Sequence, residues 1–229
     1  MELHLTLKTD ATFGRGDGVA GLVDEEVEYD AATGLPYVRG RTVRGLLVEE
    51  CANILFALGP RAALLTDTAR ELFGAAGSTL QADGILRVGA AQLPQNLRDA
   101  VEADIAAERL TPTEVLESLT AIRRQTSVDE TTGAPEKGSL RSVRVLLRAT
   151  ELIAPLEFIR PPTDVTKAQA LLAACVLALR RGGTGRNRGR GQLTAYVDSV
   201  EQTATYFKAF EQAVSPQKEV QHESADVSH

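Results

Sequence analysis

A chain of 229 residues, 43% of them hydrophobic, is long enough to bury a sizeable core and too apolar for global disorder. Its net charge of −6 argues against a generic nucleic-acid binder, which is usually basic. The two cysteines, Cys51 and Cys175, lie in apolar helical patterns and offer neither a disulfide framework nor zinc-ligand spacing.

The chain opens on an alternating segment, Glu2–Thr9, with Leu3, Leu5 and Leu7 on one face, which predicts a half-buried strand and no signal peptide. A loop follows from Asp10 to Pro36, rich in glycine and acid (Asp17, Asp24, Glu25, Glu26, Asp30), with Val27–Tyr29 able to pair briefly. Thr42–Leu58 reads as an amphipathic helix stopped by Gly59-Pro60, and Ala63–Phe73 as a short one. Gly84–Ala91 reads as a strand, and Gln95–Ala107 and Pro112–Ala121 as helices. The second carries a capping box, Thr111 with Glu114. Arg123–Gly138 reads as a polar loop, and Ser139–Ala149 with Leu152–Ile159 as a hairpin turning at Thr150-Glu151. Pro161-Pro162-Thr163-Asp164 starts the most apolar helix, Val165–Arg181, whose Ala168–Leu179 run is too short to span a membrane. A glycine–arginine loop (Gly182–Gly191), a strand (Gln192–Val200), a closing helix (Thr203–Val214) and a disordered tail complete the chain. The order of the larger elements gives an α+β, split βαβ (ferredoxin-like) plan with insertions and two helices on one side of an antiparallel sheet. No linker separates two cores, and a reduced cytoplasmic setting is expected.

The chemistry centres on arginine. Of 25 basic residues 20 are Arg, in clusters at Arg39/Arg41/Arg44, Arg123/Arg124, Arg141/Arg144/Arg148 and Arg180 to Arg190. A guanidinium grips phosphate bidentately and stacks on bases, although solvated faces paired with acids account for the same composition. Arg41 and Thr42 open a helix after Gly40, where free N–H groups and the helix dipole attract anions. A plain capping segment is the alternative. The loop GGTGRNRGRG follows a helix and precedes a strand, the reverse of a nucleotide fingerprint, and has no Gly-Lys-Ser/Thr. It fits either an RNA-backbone contact through Arg186, Arg188 and Arg190 or a simple connection. The acidic loop fits a divalent cation or bulk solvent. Histidine catalysis is disfavoured, since His4 lies in the first strand and His222 and His229 in the tail.

Together these segments resemble a known family. Gly34-Leu35-Pro36-Tyr37-Val38-Arg39-Gly40-Arg41-Thr42-Val43-Arg44-Gly45 is similar to the G-x-P-Y-I-P-G-S-S-L-K-G motif of the RAMP superfamily, the repeat-associated proteins of CRISPR effector complexes. Asp24 to Asp30 resembles the D-x-P-V-x-x-D segment of backbone subunits of type III (Csm/Cmr) complexes. Gly133–Val145 resembles their thumb-to-strand region, and Gly182–Gly191 the family's Gly-rich loop. The chain departs from the pattern at Leu22 (a glycine there), Glu26 and Arg39 (prolines there) and Arg41-Thr42 (Ser-Ser there).

The resemblance implies a modified RNA-recognition (ferredoxin-like) fold over residues 1–200 with a β-hairpin thumb near 124–138, then a C-terminal helix and tail over 201–229. It implies a backbone subunit that stacks with copies of itself and other RAMP and CRISPR effector subunits along a guide CRISPR RNA. Arg39, Gly40, Arg41, Thr42, Arg44, Arg124, Arg141, Arg186, Arg188 and Arg190 would contact RNA. Asp24 would stand at the catalytic position for metal-dependent (Mg²⁺ or another divalent cation) cleavage of complementary target RNA. Glu25, Glu26 and Asp30 gain no role and are expected to be solvated. The alternative is a non-catalytic RAMP scaffold or capping subunit. A stand-alone guide-processing endoribonuclease lacks its histidine.

Overall fold

A computed structural model describes residues 1–14, 23–75, 83–126 and 140–215. Six strands and six α-helices run in chain order as β1 (Glu2–Leu7), α1 (Gly40–Leu58), α2 (Thr66–Phe73), β2 (Leu86–Val88), α3 (Gln95–Ala106), α4 (Pro112–Leu119), β3 (Thr120–Gln125), β4 (Arg141–Leu146), β5 (Glu151–Phe158), α5 (Val165–Ala178), β6 (Leu193–Val197) and α6 (Val200–Val214). Four strands form an antiparallel sheet in the order β2-β5-β1-β6. With α1 between β1 and β2 and α5 between β5 and β6, this is the ferredoxin-like order, as the element pattern predicts.

The core follows from alternation. Leu3, Leu5 and Leu7 of β1, with Leu152, Ala154 and Leu156 of β5 and Leu193 and Val197 of β6, are buried against the helices. Helix α5 is the most enclosed element, with Ala168 and every residue from Ala170 to Val176 buried. It packs on α1, α2 and α6, and α6 adds Thr203 and Phe210 to the same core. Each fully buried leucine contributes on the order of 2 kcal/mol relative to exposure. The free thiols Cys51 (α1) and Cys175 (α5) lie inside. Among the described residues no helix is long and apolar enough to cross a membrane.

Three expectations are corrected. Residues 139–149 and 152–159 do not form a hairpin with each other. Ala149 takes a left-handed φ of 66° and its N–H donates to Leu7 O at 2.8 Å, so the chain turns out of one sheet into another. β5 then pairs with β1, while β4 pairs with β3, a strand read from sequence as loop. Arg123 and Arg124 disguise β3, which is stabilised by its pairing with β4 rather than by apolar alternation. Helix α1 begins at Gly40 rather than Thr42, because Arg39 is the extended residue at its N-cap. The capping box at Thr111 and Glu114 forms as expected, with Thr111 N donating to Glu114 Oε2 at 2.8 Å. Residues 127–139, which contain most of the expected thumb, and residues 216–229, the expected tail, lie outside the described residues, as does Asp17.

Candidate nucleic-acid interface

The start of α1 is built by the turn before it. Asp30 Oδ1 accepts from the N–H groups of Ala32 and Thr33 at 2.7 and 3.1 Å, and Gly34 N donates to Asp30 O at 2.7 Å. Gly34 has φ 72°, and a Cβ there would lie 1.9 Å from Pro112 O, so the turn docks against the start of α4 only as glycine. Val38 exchanges backbone hydrogen bonds with Ala91 (2.9 and 2.8 Å), which sets Gly40 against β2.

No side chain caps the first N–H groups of α1, and its first turn holds no acid. Arg41 and Thr42 are exposed there. Arg44 reaches back to donate from Nη2 to Phe73 O at 2.5 Å. Arg39 is held by the buried carboxylate of Glu28. Gly40, Arg41, Arg44 and Arg87 line one side of a cavity of about 480 Å³. The end of a 19-residue helix and its arginines therefore present positive charge to one depression.

A second, larger groove of about 580 Å³ lies between the Gln125–Arg141 end of the β3–β4 pair and the Gly-rich loop. Glu25, Gln125, Arg141 and Val143 line one wall, and Gly183 to Arg188 with Arg190 the other. The loop owes its path to glycine. Gly183, Gly185, Gly189 and Gly191 all have positive φ, and a Cβ on Gly191 would lie 1.9 Å from Gly182 O. Arg186 donates from both terminal nitrogens to Glu49 of α1 (2.8 and 2.7 Å), and these hydrogen bonds hold the Glu49 carboxyl below its ordinary range. Arg141, Arg188 and Arg190 have no carboxylate partner among the described residues. Arg124 lies opposite Ser142 in the register and so on the hairpin face away from Arg141, outside the groove.

Asp24 is exposed and fastened to β4, next in the chain to the groove residue Glu25 but not itself part of the groove lining. Its N–H donates to Ser142 O at 2.8 Å and its Oδ2 accepts from Ser142 N at 2.6 Å. Glu25 pairs in parallel with Val143, and its carboxylate turns over Gly14. Glu26 corrects the sequence reading: it is 2% exposed, with Oε1 2.8 Å from Arg144 Nε, rather than solvated. Asp30 is exposed, as expected. Among the described residues no group of three or more His, Cys, Asp or Glu side chains could hold a metal. Asp24 offers one exposed carboxylate, whose Oδ2 already accepts from Ser142 N.

The sequence reading named Asp24 and the arginines as candidates and did not anticipate the internal partners Glu28 and Glu49 or the Glu26–Arg144 pair. No sequence signal marks Glu26 and Glu28, since alternation about the buried Val27 would turn both acids outward.

A family model for the RAMP superfamily matches residues 4–194. The chain belongs to the RAMP superfamily. No curated protein is similar enough in sequence to register as a relative. Among solved structures, this RAMP chain is similar to a chain of the type III-B Cmr-beta complex in its apo state, with TM-score 0.60, 13% identity, and coverage of 87% of this chain and 97% of that one. A chain of the Cmr-beta complex bound to cognate target RNA gives TM-score 0.60 and 14% identity over 85% and 95%. A chain of a type IV-B CRISPR complex gives 0.55 and 16% over 87% and 90%. At these identities the likeness is one of fold.

Proposed function

We propose that this RAMP protein is a guide-RNA-binding backbone subunit of a type III CRISPR effector complex, and that Asp24 takes part in cutting complementary target RNA. The reading rests on one juxtaposition. An exposed carboxylate is fixed to β4 one residue from Glu25, which lines a groove shared with Arg141, Arg188 and Arg190, none of them with a carboxylate partner among the described residues. The fold likeness to chains of the Cmr-beta complex, in one structure bound to cognate target RNA, supports the reading of an effector-complex subunit. Partners on this reading are a guide CRISPR RNA, target RNA and other effector subunits, including copies of this chain.

Arg41, Thr42 and the free N–H groups of α1 bind guide phosphates, and Arg141, Arg188 and Arg190 hold the strand passing the hairpin. In cleavage, the ribose 2′-hydroxyl gives its proton to water as its oxygen attacks the adjacent phosphorus in line, the P–O5′ bond breaks and the 5′-oxygen takes a proton from water, leaving a 2′,3′-cyclic phosphate and a 5′-hydroxyl. Asp24 orients the attacking hydroxyl, and the groove arginines offset charge on the phosphate. A divalent cation bound at Asp24 would supply further positive charge to that phosphate.

The test is reconstitution with guide and complementary target, comparing wild type, Asp24→Ala and chelated Mg²⁺. Asp24→Ala should abolish cutting with guide affinity unchanged. Unchanged cutting would remove Asp24 from the mechanism. Absence of cutting even in the wild type would establish the scaffold reading, which the likeness to a type IV-B chain leaves open.

A further inference from the structure

The most deeply buried charge in the described structure lies two residues from Asp24. Glu26 is 2% exposed, and Arg144 keeps 15% of its side chain exposed. The Glu26 Oε1 to Arg144 Nε approach of 2.8 Å lies off the N–H axis, so the contact is an ion pair rather than an aligned hydrogen bond. Burying both charges opposes folding unless hydrogen bonds offset it, and here one atom of each side chain has a further partner while Arg144 Nε makes no hydrogen bond. Glu26 Oε1 also accepts from Val27 N at 3.0 Å. Arg144 Nη1 donates to Thr120 Oγ1 at 3.1 Å, at the start of β3. The Arg144 main chain donates to Glu25 O at 3.0 Å and accepts from Thr12 Oγ1 at 3.0 Å.

We propose that Glu26 and Arg144 are positioning residues for target cleavage: their ion pair clamps the 24–27 segment to β4 and thereby fixes Glu25 on the wall of the arginine groove and Asp24 next to it in the chain. Alternation makes the coupling direct. Glu26 points into the protein, so Asp24, two residues before it, is kept at the backbone position where Ser142 meets both its N–H and its carboxylate. Without the clamp, Asp24 is held to β4 by its own Ser142 contacts and by the backbone bonds of Glu25 to Ser142 and Arg144.

The inference rests on the cleavage reading for its catalytic consequence, but the clamp itself is measured without cleavage. In the assembled complex, Arg144→Met should lower the single-turnover rate at saturating target on the order of tenfold to a hundredfold. Target affinity should be unchanged, and Arg144→Lys should recover part of the rate. Because Arg144→Met leaves a buried carboxylate unpaired and may not fold, Glu26→Met/Arg144→Met removes both charges together and should remain folded but slow. Wild-type rates in the folded double variant would overturn the proposal, as would a loss of target affinity equal to the loss of rate. Amide hydrogen exchange gives the independent readout: protection at Asp24 and Val27 should fall in the double variant while that of β1 and β5 is retained. Unchanged protection would overturn the clamp. If the wild-type complex does not cut, or Asp24→Ala cuts normally, the cleavage reading fails while the exchange result still decides whether the clamp exists.

Discussion

Gly40 offers a quantitative test of how the start of α1 is set against the sheet. A Cβ built on it would lie 2.1 Å from Val88 O and 2.8 Å from the carbonyl carbon and oxygen of Gly89, all backbone atoms. Reaching the ~3.5 Å of ordinary contact requires α1 and β2 to part by roughly 1.4 Å. The paired Val38 and Ala91 hydrogen bonds and the buried Val43 and Leu47 resist that movement. Gly40→Ala is therefore expected to cost about 2–3 kcal/mol, at the upper end for overpacking a close contact. For a chain of this length that lowers Tm by on the order of 5–10 °C. Gly45, one turn further along the same helix, has open space within 4 Å of the added Cβ. There the same change only removes backbone freedom from the unfolded chain, and Gly45→Ala should stabilise by about 0.5–1 kcal/mol. Thermal and urea melts of the two variants beside wild type make the measurement. A Gly40→Ala protein melting at the wild-type temperature would refute the close approach as the reason for glycine here.

Two further outcomes follow from the electrostatics. Burial opposes ionisation of Asp10, but hydrogen bonds from the Arg123 side chain and the Arg148 N–H, together with both charges, outweigh it and bring its carboxyl below the ordinary 3.8. A depressed folded value contributes stability above the unfolded value that is lost as pH falls through the folded one. Asp10→Asn should therefore flatten the stability loss below about pH 4 in urea melts across a pH series, with a retained slope counting against the pair. At the Gly-rich loop, Glu49→Gln releases Arg186 from its carboxylate clamp while changing stability by less than about 0.5 kcal/mol. Single-stranded RNA should then bind more tightly, with a log–log salt slope steeper by about 0.7, read by fluorescence anisotropy; an unchanged slope would place Arg186 away from phosphate.

The parts of the fold that declare themselves in sequence are those whose stability is local or periodic. Leu3, Leu5 and Leu7 alternate because one face of β1 is buried, and Thr111, Pro112 and Glu114 write out a helix start in consecutive residues. β3 was illegible because a strand carrying Arg123 and Arg124 has no apolar period, and only its partner 20 residues on makes it a strand. The mispaired β4 and β5 show the converse: two apolar strands next to each other in sequence meet different partners, and the left-handed Ala149 that divides them has no compositional signature. At the candidate site, exposed groups such as Asp24, Arg41 and Arg188 could be picked out by type and spacing. Glu26 could not, because its ion pair with Arg144 joins positions far apart in the chain, and an isolated glutamate in an acidic run looks solvated.

The placement of β1 at the centre of the main sheet has a consequence for synthesis. Both neighbours of this N-terminal strand come late: Met1 donates to Leu156 O, 155 residues away, and Glu2 N to the Asp198 carboxylate, 196 residues away. A chain growing on the ribosome can form α1 and the helices after it, but β1 has no ladder until β5 emerges and no second ladder until β6 follows. For most of translation, therefore, the three leucines of β1 lack their sheet partners. The apolar strand must be kept from pairing elsewhere until the last quarter of the chain arrives, which makes it the segment most exposed to chaperone capture or aggregation during synthesis.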